Sequence, residues 1–224
     1  MDWQAIWLTV KLATLVSMTL LVLGMPLAHW LAFTRWRGKF LIEAVVSLPL
    51  VLPPTVLGFY LLMAMGSRSP IGRWWMSLTG HGLAFTFEGL VIASLVYNLP
   101  FAVQPMAAAF AQVDPALREA SATLGASPLR TFARITLPLS IEGALAGLVL
   151  SFAHTVGEFG VVLMVGGNLP GITRTVSVSI YDRVQALDYS GANQTALLLL
   201  AFSFTILVMV YGFRRRPWAA VPLT

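Results

Sequence analysis

The stretch DPALREASATLGASPLRTFARITLP, residues 114–138, is punctuated by residues that start and stop helices. Asp114 followed by Pro115 supplies an N-cap and a proline at the first helical position. Good helix formers follow over 116–124, which would make a helix about 15 Å long, and Gly125 stands where a left-handed C-cap is expected. These residues predict a short, capped helix rather than a slack connection.

A second helix is predicted directly after this turn. Ser127 and Pro128 repeat the cap and proline signal, and Pro138 is expected to stop the helix because it has no N–H to donate. On the first helix, small and apolar side chains recur at i, i+3, i+4 and i+7, namely Leu117, Ala120, Ser121 and Leu124. Such a stripe either enters a groove on a partner or packs against the protein's own helix ends, and the spacing alone leaves both open.

On both sides of this loop, long apolar runs predict membrane-spanning helices. Each reaches about 20 residues, the length that crosses a bilayer. The five runs lie near Leu12–Leu31, Leu41–Met65, Gly89–Phe110, Ile141–Val165 and Ala192–Tyr211. With 58% hydrophobic and 10% charged residues, the composition is far from that of a soluble domain. We therefore expect an all-α integral membrane protein, with one transmembrane domain over 1–224 and a cytoplasmic loop over 111–140.

The basic residues are scattered between apolar runs and set the orientation rather than forming a nucleic-acid patch. Nine lie in the first loop, the third loop and the tail: Arg35, Arg37, Lys39, Arg118, Arg130, Arg134, Arg214, Arg215 and Arg216. Five lie on the other side: Lys11, Arg68, Arg73, Arg174 and Arg183. This imbalance predicts an external amino terminus and a cytoplasmic carboxyl terminus. Lys11 is discordant, but its side chain can reach the interface.

The loop also carries a motif that resembles the cytoplasmic motif of ABC importer permeases. The residues at the motif's spacing are Glu119, Ala120, Ser121, Gly125, Ile135, Leu137 and Pro138. Ser121 replaces an alanine of the family pattern, which is a small-for-small change. The resemblance implies the type I importer fold and a helix that fits a cleft on an ATPase subunit. The ATPase-coupling residues would be Glu119, Ala120, Ser121, Leu124, Gly125, Ile135, Leu137 and Pro138.

Three further stretches resemble the molybdate branch of that family, whose close relatives carry sulfate and thiosulfate. They are SLPLVLPPTVLGF at 47–59, GEFG at 157–160, and GNLPG at 167–171 followed by TRT at 173–175. The resemblance implies a permease subunit that translocates molybdate across the cytoplasmic (inner) membrane, with sulfate, thiosulfate or tungstate as alternatives. It implies a homodimer, a homodimeric ATPase and an external substrate-binding protein. The chain itself would need no cofactor, because ATP and Mg²⁺ bind to the ATPase.

Pro49, Pro53 and Pro54 interrupt the second predicted span. Broken helices beside a transport path can aim half-helix amino termini at an anion, whereas an ordinary proline kink is equally common in membrane helices. Both readings stay open.

Glu158 falls within the fourth predicted span, four residues after His154. The pair shares a helix face but has no third metal ligand, so we expect a hydrogen bond between them. A dianion about 5 Å from an ionised carboxylate would be repelled by roughly 6–7 kcal/mol at an effective dielectric constant of about 20. Glu158 is therefore expected to be structural or to act in gating, with Gly157 and Gly160 allowing close packing or rotation.

The predicted outer loop over 167–192 carries charges of both signs, namely Arg174, Asp182, Arg183 and Asp188. This mixed charge suits either a binding-protein contact or a solvated surface. An intramembrane enzyme would use Ser151 with His154, but no oxyanion hole or orienting acid is evident. A secondary transporter would show paired inverted repeats, and none is visible. The chain is thus expected not to be an enzyme.

Overall fold

The computed structural model describes residues 2–214, and these residues form helices and connections without a strand. The helices are α1 (Trp3–Phe33), α2 (Lys39–Val51), α3 (Pro54–Met65), α4 (Pro70–Thr79), α5 (Phe87–Ala111), α6 (Pro115–Thr123), α7 (Pro128–Thr131), α8 (Leu137–Leu139), α9 (Ile141–Gly157), α10 (Gly160–Gly166), α11 (Val176–Gln185) and α12 (Tyr189–Arg214). A π-helical turn, Phe132–Thr136, joins α7 to α8. Arg215 and Arg216 of the predicted tail lie outside the described residues.

The core is built from α1, α5 and α9, which pack side by side. Leu12 and Val16 of α1 are fully buried, as are Val103 and Met106 of α5. Small residues let α9 approach α5 closely. A Cβ added at Gly147 would lie 2.7 Å from the carbonyl oxygen of Ala102.

Helix α1 begins at Trp3, nine residues before the predicted span at Leu12. Asp2 caps it, because its carboxylate accepts a hydrogen bond from the Ala5 backbone N–H at 3.0 Å. Trp3 and Trp7 are 67% and 70% exposed on this extension. Exposed tryptophans of this kind are typical of a membrane–water interface.

Two of the predicted spans are broken rather than continuous. The second divides at Leu52 and Pro53, where α2 and α3 meet at 113°. The fourth begins at Ile141 as expected, but it divides at Glu158, where the backbone becomes extended. Among the described residues, three helices are long and apolar enough to cross a membrane. Two bent pairs, α2 with α3 and the 128–139 segment with α9, the latter bent by 73°, raise the number to as many as five if each pair counts as one span. The expected bundle of about five spans is therefore confirmed, with bends that hydropathy does not reveal.

The 114–138 segment forms the two predicted helices, α6 and α7, with Gly125 between them in the left-handed region at φ +77°. The prediction that Pro138 stops the second helix is wrong. The chain stays helical through Pro138 as far as Leu139, because a π-helical turn precedes it and the Leu137 N–H bonds five residues back to Phe132. A wider turn of this kind accommodates a proline that cannot donate.

Close packing at Gly147 gives a stability prediction. Gly147→Val forces a side chain against the α5 backbone, and overpacking of this kind costs about 1–3 kcal/mol. We expect a lower midpoint of thermal unfolding for the detergent-solubilised protein. Gly157→Ala is the matched control, because no atom lies within 4 Å of a Cβ at Gly157. Equal midpoints for the two variants would contradict this packing role.

Candidate functional site: the coupling loop and the two helix breaks

Helix α6 is a rigid, capped element that stands at one end of the bundle. The Asp114 carboxylate accepts a hydrogen bond from the Ala116 N–H at 2.9 Å, and the Ser127 hydroxyl accepts one from the Arg130 N–H at 3.3 Å. No atom lies within 4 Å of a Cβ at Gly125. Gly125 is therefore required by its backbone conformation rather than by crowding.

The predicted stripe on α6 divides between two faces. Ser121 is buried and its hydroxyl lies 2.8 Å from that of Thr131, so it ties α6 to α7. Ala120 is exposed, and Leu124 is 87% exposed. Leu129 of α7 is 77% exposed as well, and the motif gave no reason to select it. An apolar residue directly after the Ser127-Pro128 cap, on the first turn of a solvent-facing helix, is the signal that identifies it.

Arg118 connects α6 to the transmembrane bundle. Its guanidinium stacks over the Phe33 ring at 3.6 Å, at the end of α1. Phe33 packs edge-on against His29, and His29 packs against Phe110 of α5 and Phe132 of the π-turn. This aromatic cluster joins α1, α5 and the loop, so α6 is attached to two core helices.

The end of the motif is fixed to α5. Ile135 and Leu137 are half-buried, whereas Pro138 is exposed. The buried Ser140 hydroxyl donates to the Thr136 carbonyl at 2.7 Å and lies 3.4 Å from the Ala109 carbonyl. The coupling loop is therefore anchored at both of its ends.

The two helix breaks lie against each other. A Cβ added at Gly160 would lie 2.7 Å from Pro54, and one at Gly58 would lie 2.8 Å from Met164. Helix α10 packs along α3. Of the predicted path residues, Pro54 and Gly160 therefore meet, whereas Pro49 lies inside α2, Pro53 marks the first break, and Gly157 has open space beside it.

Glu158 caps α10 and does not pair with His154, so the expected hydrogen bond between them is wrong. The Glu158 carboxylate is buried and accepts a hydrogen bond from the Val161 N–H at 2.7 Å. The helix ends at Gly157, which turns Glu158 away from the face of His154. His154 instead bonds Asn98 of α5 at 2.9 Å and stacks on Phe101 at 3.8 Å between ring centroids. Residues 2–214 contain no cluster of three metal-ligating side chains.

Ser151, the candidate nucleophile of an intramembrane enzyme, is hydrogen-bonded within its own helix. The Ser151 hydroxyl donates to the Gly147 carbonyl at 2.8 Å and lies 3.0 Å from that of Leu148. His154 faces Asn98 rather than Ser151. The pair therefore lacks the hydrogen bond that activates a serine.

The outer loop holds its charges in internal pairs. Arg174 contacts Asp2 at 4.0 Å, Asp182 at 3.6 Å and the Asn168 side chain at 2.5 Å. Arg183 pairs with Asp188 at 3.1 Å. These contacts tie the start of α1 to α11, which the sequence reading treated as loop.

Comparisons with known proteins identify a family and a fold. The family described as "Binding-protein-dependent transport system inner membrane component" matches residues 3–218. The Azotobacter vinelandii molybdenum transport system permease protein ModB is 52% identical, over 96% of this chain and 95% of its own. A bacterial ABC transporter that imports alginate superposes with a TM-score of 0.77 at 19% identity, covering 96% of this chain and 79% of its own. The MetNI methionine ABC transporter gives 0.72 at 17%, covering 95% and 94%.

The anchor at Arg118 gives a prediction about the loop. Arg118→Leu removes a cation–π contact of about 0.5–1 kcal/mol. We expect amide hydrogen exchange over 115–125 to quicken by about twofold to fivefold, while exchange in α5 stays unchanged. Arg134→Leu, an exposed arginine of the same loop, is the control. Unchanged exchange in Arg118→Leu would show that the aromatic cluster does not hold α6.

Proposed function

The chain belongs to the family of binding-protein-dependent transport system inner membrane components, and on that premise we propose that it is the permease subunit of an ATP-driven importer of molybdate. Its fold is that of the type I ABC importer permeases. The assignment of molybdate as the substrate rests on the 52% identity, over almost the whole of both chains, with a molybdenum transport permease. The protein is a multi-pass protein of the inner membrane.

The permease acts with three kinds of partner. A second copy completes the pathway, two ATPase subunits bind at the α6 end, and an external binding protein delivers the oxyanion at the other end. The exposed apolar side chains Leu124 and Leu129 support ATPase docking. ATP and Mg²⁺ belong to the ATPase, and this chain hydrolyses nothing. The amino terminus is external and the carboxyl terminus cytoplasmic, as the distribution of Lys and Arg favours.

Transport follows from rigid connections in the fold. ATP-driven closure of the ATPase pair brings the two copies of α6 together. Because α6 is capped and stacked on Phe33 through Arg118, its movement reaches α1 and α5 as a rigid-body shift. The spans then swing from an inward-facing to an outward-facing arrangement, and hydrolysis resets them.

The helix breaks are the gate region of this pathway, formed by Pro49, Pro53, Pro54, Gly157, Glu158 and Gly160. The contact between Gly160 and Pro54 supports this assignment, because a movement of α10 must displace α3. Glu158 keeps a structural role there, since its carboxylate is committed to the Val161 N–H.

If the ATPase docks at α6, substitutions on this helix should abolish uptake without affecting membrane insertion. Glu119→Lys reverses the charge of an exposed residue, and Gly125→Asp adds a charge at the turn. We expect both to abolish binding-protein-dependent uptake while membrane insertion is retained. Gly125→Ala is the matched control, because both Gly125 variants bear the cost of about 1 kcal/mol for a left-handed residue but only one adds a charge. Normal uptake by Glu119→Lys and Gly125→Asp would exclude docking at this surface.

The cargo is tested by growth. The chain, expressed with its ATPase and binding protein, should restore growth to a molybdate-uptake mutant. Parallel tests in sulfate- and tungstate-uptake strains examine the related oxyanions. Rescue of the sulfate-uptake strain alone would show that the substrate is sulfate and not molybdate.

A further inference from the structure

Gln104 is a polar side chain in the middle of an apolar span, and it is exposed. It lies in α5, beside the buried Val103 and on the face opposite the buried Met106. Its amide Nε2 donates to the Ser47 hydroxyl of α2 at 2.9 Å. Placing a carboxamide and a hydroxyl against the hydrocarbon of the bilayer costs free energy, because their remaining donors and acceptors find no partner there. This face of α5 therefore meets water or protein rather than lipid.

Two cavities meet at Gln104. One, of about 260 Å³, lies between α1, α2 and α5 and includes Ser47, Ala107 and Ala111. The other, of about 350 Å³, extends along α5 past Pro100 and Phe101. Ala108 lines both. The small side chains of this face leave continuous space beside the two polar groups.

A polar stripe leads to this point from the coupling-loop end of the bundle. Lys39, Glu43 and Ser47 recur every four residues along α2 and line the same cavity. Lys39 and Glu43 are paired at 3.2 Å, so the mouth carries no net charge. Beyond it, Ser47 and Gln104 offer only neutral groups.

We propose that Gln104 and Ser47 form a transient binding site for the oxyanion in the translocation path, on the cytoplasmic side of the helix breaks. This inference rests on the proposed function. The second amide N–H of Gln104 and the hydroxyl hydrogen of Ser47 remain available after their mutual bond, and both can donate to an oxyanion. Neutral donors hold a dianion without trapping it, as conduction requires. In the proposed homodimer, the second copy would close the open side of both cavities.

Replacing Gln104 by a charged residue of the same shape distinguishes a role in anion binding from a role in holding α2 against α5. Gln104→Glu keeps the shape and can still bond the Ser47 hydroxyl, but it places a negative charge against the dianion. Even at the dielectric constant of water, this repulsion predicts about a tenfold loss of molybdate uptake. Gln104→Met removes the donors without adding charge and should lose less. If Gln104 only ties α2 to α5, the order reverses, and Gln104→Glu with normal uptake overturns the proposal.

Accessibility gives a second, independent readout, because the chain contains no cysteine. Gln104→Cys and the control Met18→Cys, on the exposed apolar face of α1, are treated in inside-out vesicles with a sulfonate-bearing methanethiosulfonate. A charged reagent enters water-filled paths but not lipid, so only Gln104→Cys should react, and molybdate should slow the reaction. Lack of labelling at position 104, or labelling that molybdate leaves unchanged, overturns the proposal. Failure of the unmodified transporter to accumulate molybdate would instead refute the proposed function.

Discussion

Backbone hydrogen bonding in a membrane is the constraint on which this structure depends, because lipid cannot replace a missing partner. Both broken spans meet it with local chemistry. At the first break, Pro53 and Pro54 have no N–H to satisfy, and the Pro53 carbonyl accepts from Val56 at 2.9 Å. At the second, the Glu158 carboxylate accepts the Val161 N–H that the end of α9 leaves unpaired. The two breaks can therefore pack against each other.

Side chains also cap the two helices of the 114–138 segment, where lipid does not impose the constraint. Residues 114–138 lie outside the spans, where water can satisfy the backbone, yet each helix start is capped by a side chain. Arg118 on Phe33 and Ser121 on Thr131 add lateral contacts. A loop held in this way transmits a displacement, whereas an unstructured one absorbs it. The coupling role proposed for this segment thus rests on local capping and on a few contacts with the bundle.

The features that the sequence did not predict are those that depend on where a helix bends, rather than on how apolar it is. Hydropathy found the run from Leu41 to Met65 but cannot register a bend of 113° within it. The expected bond between His154 and Glu158 assumed a continuous helix, and the break after Gly157 removed it. Helix α4 could have been predicted from the sequence, because Ser69-Pro70 is the same cap signal as Ser127-Pro128, and Gly80 supplies its C-cap. Gln104 went unnoticed, since a lone glutamine in an apolar run has no significance until its neighbours are known.

The membrane class, the approximate spans, the two helices of the loop and the family could all be inferred from the sequence, because apolar length, cap residues and motif spacing are local properties of the chain. The burial of Ser121, the exposure of Leu129, the cap that Glu158 forms on α10 and the contact between Pro54 and Gly160 all depend on the folded structure. Ser121 and Leu129 lie on different helices, Pro54 and Gly160 are far apart in the chain, and the Glu158 cap, although local, forms only because α9 ends at Gly157. Helix packing and the position of the break fix these features, and periodicity cannot.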